Sequence, residues 1–236
     1  MIEKGYTNEQ LAERIYDREM IKQLICRHSY YLSNGQAERA ISELWVTDPV
    51  AQRSAALGYN NGWYIGIEEI RRHLVDDYNG RVDGKKGVME MNTITTPLVY
   101  ISDDGKSARY LGYRLGCTAE GKPDGSADAY MDFGLVRADL VCRDGDWRLL
   151  HMVLEHDHTV TVGEDYNKVP VKLPAQSDPL YSRFGNPTLE ETVYDPFYGW
   201  EYMWSDMPRP YETYSERESC GPNGLINKPY YMRERR

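Results

Sequence analysis

The sequence has little positive charge, few cysteines and no long apolar run. Its 28 Lys and Arg residues are outnumbered by 37 Asp and Glu residues, and the resulting formal charge of −9 would repel phosphates. No segment approaches the roughly 20 apolar residues of a membrane span, and residues 1–6 contain no apolar core of a signal peptide. We therefore expect a cytoplasmic protein that binds neither nucleic acid nor membrane, with a ligand that is neutral or held by local chemistry.

The short motifs of cofactor and metal sites are also missing. The four cysteines lie far apart and form no Cys-x-x-Cys pair, so we expect reduced and mostly buried thiols. No Gly-x-Ser-x-Gly elbow or dinucleotide fingerprint occurs, and the single glycine of residues 59–64 lacks the strand, loop and helix context of a phosphate-binding loop. The sequence therefore predicts no cofactor.

Three of the four histidines outside the first helix are expected on a polar face or at the mouth of a pocket. His156 and His158 alternate along a strand-like segment, which can ligate a metal from one face, but a third ligand at suitable spacing is not evident. We interpret this segment as a solvated strand end at the mouth of a pocket, with no metal. His73 follows two arginines on a helix and is expected on its polar face.

Helical periodicity dominates the first 78 residues. Apolar residues at three- and four-residue spacing predict a helix over 7–32 that carries His28 on its buried stripe and ends near Asn34-Gly35. A second helix over 37–45 is broken at Asp48-Pro49, residues 55–65 are expected to form a strand or irregular edge, and helical spacing resumes over 67–78. These patterns predict three helices before the main sheet.

From residue 88 onward the spacing of hydrophobic residues changes to every second position. Four segments are rich in β-branched and aromatic residues and are joined in part by hairpin turn sequences; they cover residues 88–102, 107–119, 127–143 and 147–160. A mostly antiparallel sheet is therefore expected. In the third segment the small or apolar residues occupy even positions, which places Tyr130 and Asp132 on the inner face and Arg137 and Asp139 on the outer face.

The composition changes again near residue 165. Nine of the twelve prolines, nine of the twenty tyrosines and two of the five tryptophans lie in residues 165–236. Proline at this density prevents long helices and central strands, whereas a disordered tail is usually depleted in aromatics. We expect a domain over residues 1–164 and an irregular arm over 165–236, packed on its own domain or on a neighbouring subunit.

The order of these elements resembles that of the SnoaL-like branch of the nuclear transport factor 2-like superfamily, across residues 8–160. The resemblance depends on Arg27-His28-x-x-x-Leu32-Ser33 in the first helix and on Asp144-Gly145-x-Trp147-Arg148-Leu149 at the last strand. It implies an α+β cone, in which a curved antiparallel sheet wraps around three N-terminal helices and encloses a pocket. Members such as scytalone dehydratase, bile-acid dehydratases and cofactorless lignin-dimer lyases carry out elimination or proton transfer without a cofactor, and other members are noncatalytic.

The resemblance also bears on the site. Many relatives have a Tyr or Lys at the position of His28, an Asp at the position of Ser33, and a His that aligns with Asn92. This chain therefore lacks the usual Asp and His pair at those positions. Either the basic group has moved, with His28 as its replacement, or the site has lost catalysis.

The candidate catalytic residues are His28, Asp132, Asn92 and Tyr31. In this hypothesis the imidazole of His28 removes a proton, Asp132 orients or charges it, and Asn92 and a tyrosine such as Tyr31 hold the developing oxyanion. The alternatives are that His28 is a hydrogen-bonded core histidine and that Asp132 lies at a solvated rim or pairs with Arg114.

Aromatic side chains define the expected substrate. Residues from elements that can line a cone-shaped cavity are Tyr30, Tyr59, Trp63, Tyr110, Tyr113, Arg114, Tyr130 and His151, the last on the face of Trp147 and Leu149. Aromatic walls with hydroxyls suit a flat, apolar ligand with phenols or alcohols, although several of these rings are expected to fill the core or a subunit interface instead.

Together these features predict a cofactor-independent lyase acting on an aromatic or polycyclic hydroxylated small molecule, by loss of water or by retro-aldol cleavage. An isomerase of the same fold and a noncatalytic small-molecule-binding or assembly subunit are the alternatives. Because members of this fold associate through the outer face of the sheet, we also expect a homo-oligomer, a dimer or trimer, with Phe133 and Leu135 on that face and residues 198–204 covering a neighbour or the pocket mouth.

Overall fold

The computed structural model describes residues 5–60, 62–79, 88–122, 124–163, 187–190 and 209–224. Its helices are α1 (Asn8–Ser33), α2 (Ala37–Leu44), α3 (Pro49–Ser54) and α4 (Ile67–Arg71), which continues as a π-helical segment over Arg72–Asn79, and a 3₁₀ turn lies at Glu216–Glu218. Its strands are β1 (Ala56–Tyr59), β2 (Gly62–Ile65), β3 (Met89–Ile101), β4 (Ser107–Gly121), β5 (Ala127–Arg143), β6 (Asp146–Thr161) and β7 (Leu189–Glu190). Helices precede the long strands, as expected for the predicted α+β class.

The N-terminal helices begin at side-chain caps. Thr7 and Gln10 form a reciprocal capping box at the start of α1, which satisfies backbone N–H groups that have no partner within the helix. Asp48 accepts hydrogen bonds from the amides of Val50 and Ala51, and thereby starts α3. The Asp48-Pro49 pair therefore ends one helical region and begins another short one, so the expected count of three helices before the sheet is one too low.

The seven strands form one mixed sheet in the order β3-β4-β5-β6-β1-β2-β7. The four long strands pair antiparallel, as the sequence predicts. The region expected to be a strand or irregular edge is the β1-β2 hairpin, and β1 joins the sheet parallel to β6, with Ala56 opposite His151. None of the helices in the described part of the chain is long and apolar enough to cross a membrane.

The main core lies between the helices and the inner face of the sheet. It contains buried residues of α1, α2 and the strands, among them Ile21, Ile25, Leu44, Trp45, Leu57, Tyr110, Val136, Leu140, Leu149 and Met152. A second, smaller cluster on the opposite face of the sheet joins Ala56, Trp63, Val153 and Cys220. The two clusters identify the inner and outer faces of the sheet.

Two bulges in β6 decide which of its side chains reach the inner face. The pairing changes from Leu149 opposite Leu140 to His151 opposite Asp139, so that Leu150 is an extra residue. Beyond this bulge Met152 joins the inner core and His151 turns to the outer face. The expectation that His151 shares the face of Leu149 is therefore wrong, because the bulge reverses the alternation.

Residues 209–224 pack on the outer face of the sheet. The Asp139 carboxylate accepts hydrogen bonds from the Tyr211 hydroxyl at 2.7 Å and from the Cys220 amide at 2.7 Å, and it lies 3.1 Å from Nδ1 of His151. Arg109 donates to the carbonyl oxygen of Arg209. This part of the region predicted to be an arm therefore contacts its own domain, whereas residues 198–204 lie outside the described residues.

Candidate functional site

A cluster of polar side chains occupies the inner face of the four long strands. Its members come from neighbouring strands: Asn92 from β3, Arg114 from β4, Asp132 from β5, and His156 and Thr159 from β6. The second bulge in β6 makes this grouping possible. His156 lies opposite Gly134 and His158 opposite Phe133, so Asp157 is an extra residue and Thr159 returns to the inner face directly opposite Asp132.

Two glycines make room for these side chains. Gly116 lies between Asn92 and Asp132 across the sheet, and Gly134 lies between Arg114 and His156. A Cβ atom at Gly116 would lie 3.1 Å from Oδ1 of Asn92 and 3.2 Å from Nη2 of Arg114. Glycine inside a strand therefore marks a place where other groups approach the backbone closely.

Asp132 is a buried, ionised carboxylate. Its Oδ1 accepts a hydrogen bond from Oγ1 of Thr159 at 2.6 Å and lies 3.7 Å from Nδ1 of His156. Its Oδ2 lies 3.8 Å from Nη2 of Arg114. Burial on its own would raise the pKa of Asp132, but the interactions with His156, Arg114 and Thr159 outweigh it and hold that pKa well below its usual range. The site therefore contains a fixed negative charge at neutral pH.

Arg114 joins the members of the cluster to one another. Its Nε donates to Oδ1 of Asn92 at 2.9 Å, and its Nη1 lies 3.2 and 3.3 Å from the two ring nitrogens of His156. Asn92 in turn donates from Nδ2 to the Glu90 carboxylate at 3.0 Å. Asn92 thus faces the site as predicted, but the positive charge that can stabilise an anion there belongs to Arg114.

His156 is a largely buried imidazole, 13% exposed, with a fixed backbone. The Asn60 side chain holds that backbone at two points, since Oδ1 accepts from the His156 amide at 2.9 Å and Nδ2 donates to its carbonyl oxygen at 2.8 Å. Burial and the charge of Arg114 lower the pKa of His156, while Asp132 opposes them. The expectation of a solvated strand end is wrong, and the ring is neutral and able to accept a proton at pH 7.

Tyr59 and His73 face His156 from the adjoining elements. Nε2 of His73 lies 3.0 Å from the Tyr59 hydroxyl, and the Tyr59 and His156 ring centroids are 6.2 Å apart. His73 is fully buried and stacks on Tyr64 with ring centroids 3.9 Å apart. Its predicted position on a polar face is wrong, because His73 lies three residues after the buried Ile70 and beside the buried Leu74, on the inward face of the helix.

His28 lies in the apolar core, only 2% exposed. Its nearest aromatic neighbour is Trp45, with ring centroids 6.2 Å apart, and its Nε2 has no hydrogen-bond partner among the described residues. Burial lowers the pKa of His28 to about 4. Among the described ion pairs Asp132 joins His156 and Arg114 but not His28, so the pairing of His28 with Asp132 predicted from the sequence is wrong.

Some of the predicted lining residues lie on the inner side. Tyr59 contacts His73, and Tyr110 belongs to the inner core. Tyr130 lies two residues before Asp132 on β5, on the same face and nearer the beginning of the strand. Arg114 lies within the polar cluster. These residues, with the cluster itself, give the inner face an aromatic and charged character.

Other predicted lining residues lie elsewhere. Tyr30 is 70% exposed on the side of α1 away from the core, and Tyr113 is 43% exposed because it alternates with Arg114 on β4. Trp63 packs with Val153 in the outer cluster, since Tyr64 and not Trp63 takes the inward position of β2. Their predicted contact with a cavity is therefore wrong.

Tyr31 is engaged by charged side chains between α1 and α2. Its hydroxyl donates to Oε2 of Glu43 at 2.5 Å and accepts from Arg27 at 3.0 Å and Arg39 at 3.1 Å. None of these partners belongs to the polar cluster. The predicted catalytic role of Tyr31 therefore has no support in its contacts.

In the described part of the chain, no group of three or more His, Cys, Asp or Glu side chains is arranged to hold a metal ion.

Comparison with known proteins identifies the architecture. The fold resembles that of a candidate scytalone dehydratase from Novosphingobium aromaticivorans, with a TM-score of 0.51 at 14% identity over 66% of this chain and 93% of that one. It also resembles hexachlorocyclohexane dehydrochlorinase LinA-type3 from Novosphingobium barchaimii, with a TM-score of 0.51 at 16% identity over 67% and 98% of the two chains. At these identities the likeness concerns the fold, which is that of the nuclear transport factor 2-like superfamily.

The family follows from the sequence. The model of the SnoaL-like domain matches residues 13–153, more than half of the chain, and the protein belongs to this family. No curated protein matches it significantly in sequence. The matched region contains all the strands of the polar cluster as far as Val153 but ends before His156 and Thr159.

Proposed function

We propose that the protein is a cofactor-independent lyase that acts on a hydroxylated aromatic or polycyclic small molecule by general acid and base catalysis, with His156 as the base. One observation carries the proposal: a buried imidazole of lowered pKa lies between the ionised Asp132 and the guanidinium of Arg114 on the inner face. A base of this kind is neutral at pH 7, and a fixed carboxylate beside it stabilises the imidazolium that forms.

Each group has a defined task in the mechanism. His156 removes a proton from the substrate, and the Asp132 carboxylate, 3.7 Å from Nδ1, stabilises the imidazolium that forms. Arg114 stabilises the negative charge that develops on a substrate oxygen. Loss of water or retro-aldol cleavage follows from the same arrangement, because both reactions need one base and one stabilised anion.

The substrate class is supported by the rings beside the cluster and by the relatives. Tyr59 and Tyr130, which are only partly buried, contribute aromatic rings and hydroxyls on the inner face, which suits a flat ligand with phenols or alcohols. The names of the two similar structures, a dehydratase and a dehydrochlorinase, both denote eliminations.

The test compares two buried histidines. The protein is incubated in D₂O with a panel of aromatic β-hydroxy ketones and with 5-nitrobenzisoxazole, whose ring opens when a base removes one C–H proton. Products are followed by mass spectrometry and absorbance in the presence of a chelator. Wild-type protein is expected to turn over the probes, and His156→Gln is expected to lose about 100- to 10,000-fold in kcat/KM, the range for a general base.

His28→Leu is the control, because His28 is also a histidine of the inner side, only 2% exposed, and has no carboxylate partner among the described ion pairs. It should retain wild-type turnover. Equal turnover by wild type and His156→Gln would remove His156 from the mechanism. For the β-hydroxy ketones, whose mass falls on elimination or cleavage, a product of unchanged mass would identify an isomerase in place of a lyase.

A further inference from the structure

Strand β1 stops short of the residue that we propose as the base. It runs parallel to β6, and its pairing ends with Gly58 opposite Val153, three residues before His156. The chain then turns at Asn60 into β2. Backbone N–H and C=O groups inside a sheet need hydrogen-bond partners, so the end of β1 raises the question of what contacts β6 beyond it.

The side chain of Asn60 continues β1 at this point. Its Oδ1 accepts from the His156 amide at 2.9 Å, and its Nδ2 donates to the His156 carbonyl oxygen at 2.8 Å. One donor and one acceptor are what a further strand residue would offer to the same backbone. Asn60 is only 2% exposed, so water has little access to these two bonds.

The contact lies where β6 itself is least regular. The bulge directly follows His156, with Asp157 as the extra residue, and a bulge interrupts the ladder of hydrogen bonds between the strands. On the β5 side, Gly134 lies opposite His156, and a methyl group at Gly134 would overlap the carbonyl of Glu155. The backbone at His156 is therefore held by close approach to β5 on one side and by Asn60 on the other.

We propose that Asn60 is the positioning residue of the base, which fixes the His156 backbone so that the imidazole lies between Asp132 and Arg114. The inference rests on the proposed function, in which His156 is the base. Nδ1 of His156 lies 3.7 Å from Oδ1 of Asp132 and 3.2 Å from Nη1 of Arg114. A displacement of about 1 Å would disrupt both contacts, and a misplacement of that size can reduce a rate about 100-fold.

The test changes the carboxamide while nearly retaining its shape. Asn60→Leu removes both hydrogen bonds, and turnover of the aromatic β-hydroxy ketones and of 5-nitrobenzisoxazole should fall about 100-fold, in kcat more than in KM, because the base is displaced. Asn60→Asp keeps only the acceptor while it is ionised. Its activity relative to wild type at the same pH should rise as the pH falls, since a protonated carboxyl group again offers one donor and one acceptor.

A second readout needs no substrate. The ring-nitrogen signals of His156 are followed by NMR across the range in which histidine titrates, and they are identified by their absence in His156→Gln. In Asn60→Leu the midpoint should move toward the ordinary histidine pKa of 6.5, because a ring that leaves the site escapes the burial and the Arg114 charge that lower the pKa of His156. Urea unfolding shows whether each variant is folded.

Asn34→Asp is the control, because Nδ2 of Asn34 also donates to a backbone carbonyl, that of Tyr30, at the exposed end of α1. It should leave both turnover and the His156 titration unchanged.

Two results would overturn the inference while a large loss in His156→Gln still supported the base. One is a folded Asn60→Leu protein with wild-type kcat and an unshifted His156 titration. The other, which decides the question if Asn60→Leu does not fold, is an activity of Asn60→Asp relative to wild type that does not change with pH. Wild-type turnover in His156→Gln would instead overturn the proposed function and, with it, the catalytic part of the inference.

Discussion

Oδ1 of Asp132 and Nδ1 of His156 lie 3.7 Å apart on neighbouring antiparallel strands. Strict alternation along β6 cannot place both His156 and Thr159 on the inner face, because the two positions differ by three residues. The extra residue at Asp157 removes this conflict and brings both side chains to the same carboxylate. A local irregularity in one strand thus assembles the candidate site.

Gly116 and Gly134 are expected to tolerate alanine very differently. At Gly116 the neighbouring side chains can move by a few tenths of an ångström, so Gly116→Ala should cost about 1 kcal/mol in unfolding free energy while displacing Arg114 and reducing turnover. At Gly134 the new methyl group would overlap the backbone carbonyl of Glu155. Gly134→Ala should cost about 3 kcal/mol or more in urea unfolding. Equal costs would show that β6 adjusts to the methyl group.

His28 should make the protein sensitive to mild acid. Its pKa is about 4 in the folded protein and near 6.5 in an ordinary environment, so protons bind the unfolded state more strongly. The contribution of His28 to the unfolding free energy is therefore fully present above about pH 6.5 and declines as the pH falls toward 4. We predict that the contribution of His28 to the unfolding free energy is about 2 kcal/mol smaller at pH 5 than at pH 7.5.

The measurement is urea unfolding of wild type and His28→Leu at both pH values. The leucine variant has no titrating group at position 28 and should be more stable than wild type by a margin that grows at pH 5. An identical pH dependence in the two proteins would show that the imidazole is not buried in neutral form.

Residues 209–224 are expected to stabilise the domain through Asp139. Asp139→Ala leaves the Tyr211 hydroxyl, the Cys220 amide and His151 buried without their acceptor, which should cost about 3–5 kcal/mol. Tyr211→Phe removes one hydrogen bond and should cost about 1 kcal/mol. Thermal unfolding gives both values. If a variant truncated after residue 208 has the same melting temperature as the wild-type protein, this segment does not contribute to stability.

The outer face of β3, β4 and β5 is expected to mediate self-association. It exposes apolar side chains of Met89, Met91, Tyr113, Met131 and Phe133. Of the two residues predicted to point that way, Phe133 is exposed and Leu135 is buried. We predict a dimer or trimer by light scattering after size-exclusion chromatography, and a monomer for Phe133→Glu. Val50→Glu, at an exposed position of α3, is the control and should leave the assembly unchanged.

The sequence predicts regular elements well and fails where periodicity breaks. The stripe of α1 and the even positions of β5 are simple periodic patterns, so the fold class and the inward position of Asp132 follow from them. His151 is misplaced because the bulge at Leu150 reverses the alternation, and His156 because a strand end is expected to lie in solvent, whereas Asn60 and the neighbouring strands enclose it. Glycines within predicted strands, at 116 and 134, are the signal in the sequence that would have indicated close approach at this point.

Contacts between distant segments leave no periodic signal. Tyr211 and Asp139 are separated by 72 residues, and nothing in either local sequence indicates the other. His73 is misplaced for another reason: the two preceding arginines suggest a polar face, whereas its three-residue spacing from Ile70 places it inward. The base that we propose, His156, therefore differs from the one that the sequence favours, His28.

The pH dependence of kcat/KM tests the assignment of His156 most directly. Activity should rise as His156 loses its proton, with an inflection below the ordinary histidine pKa of 6.5, because burial and Arg114 lower the pKa of His156. Arg114→Gln removes a charge that lowers this pKa and should move the inflection to higher pH. Asp132→Asn removes a charge that raises it and should move the inflection to lower pH. Opposite shifts in the two variants are the predicted result, and an inflection that neither variant moves would contradict the assignment of His156 as the base.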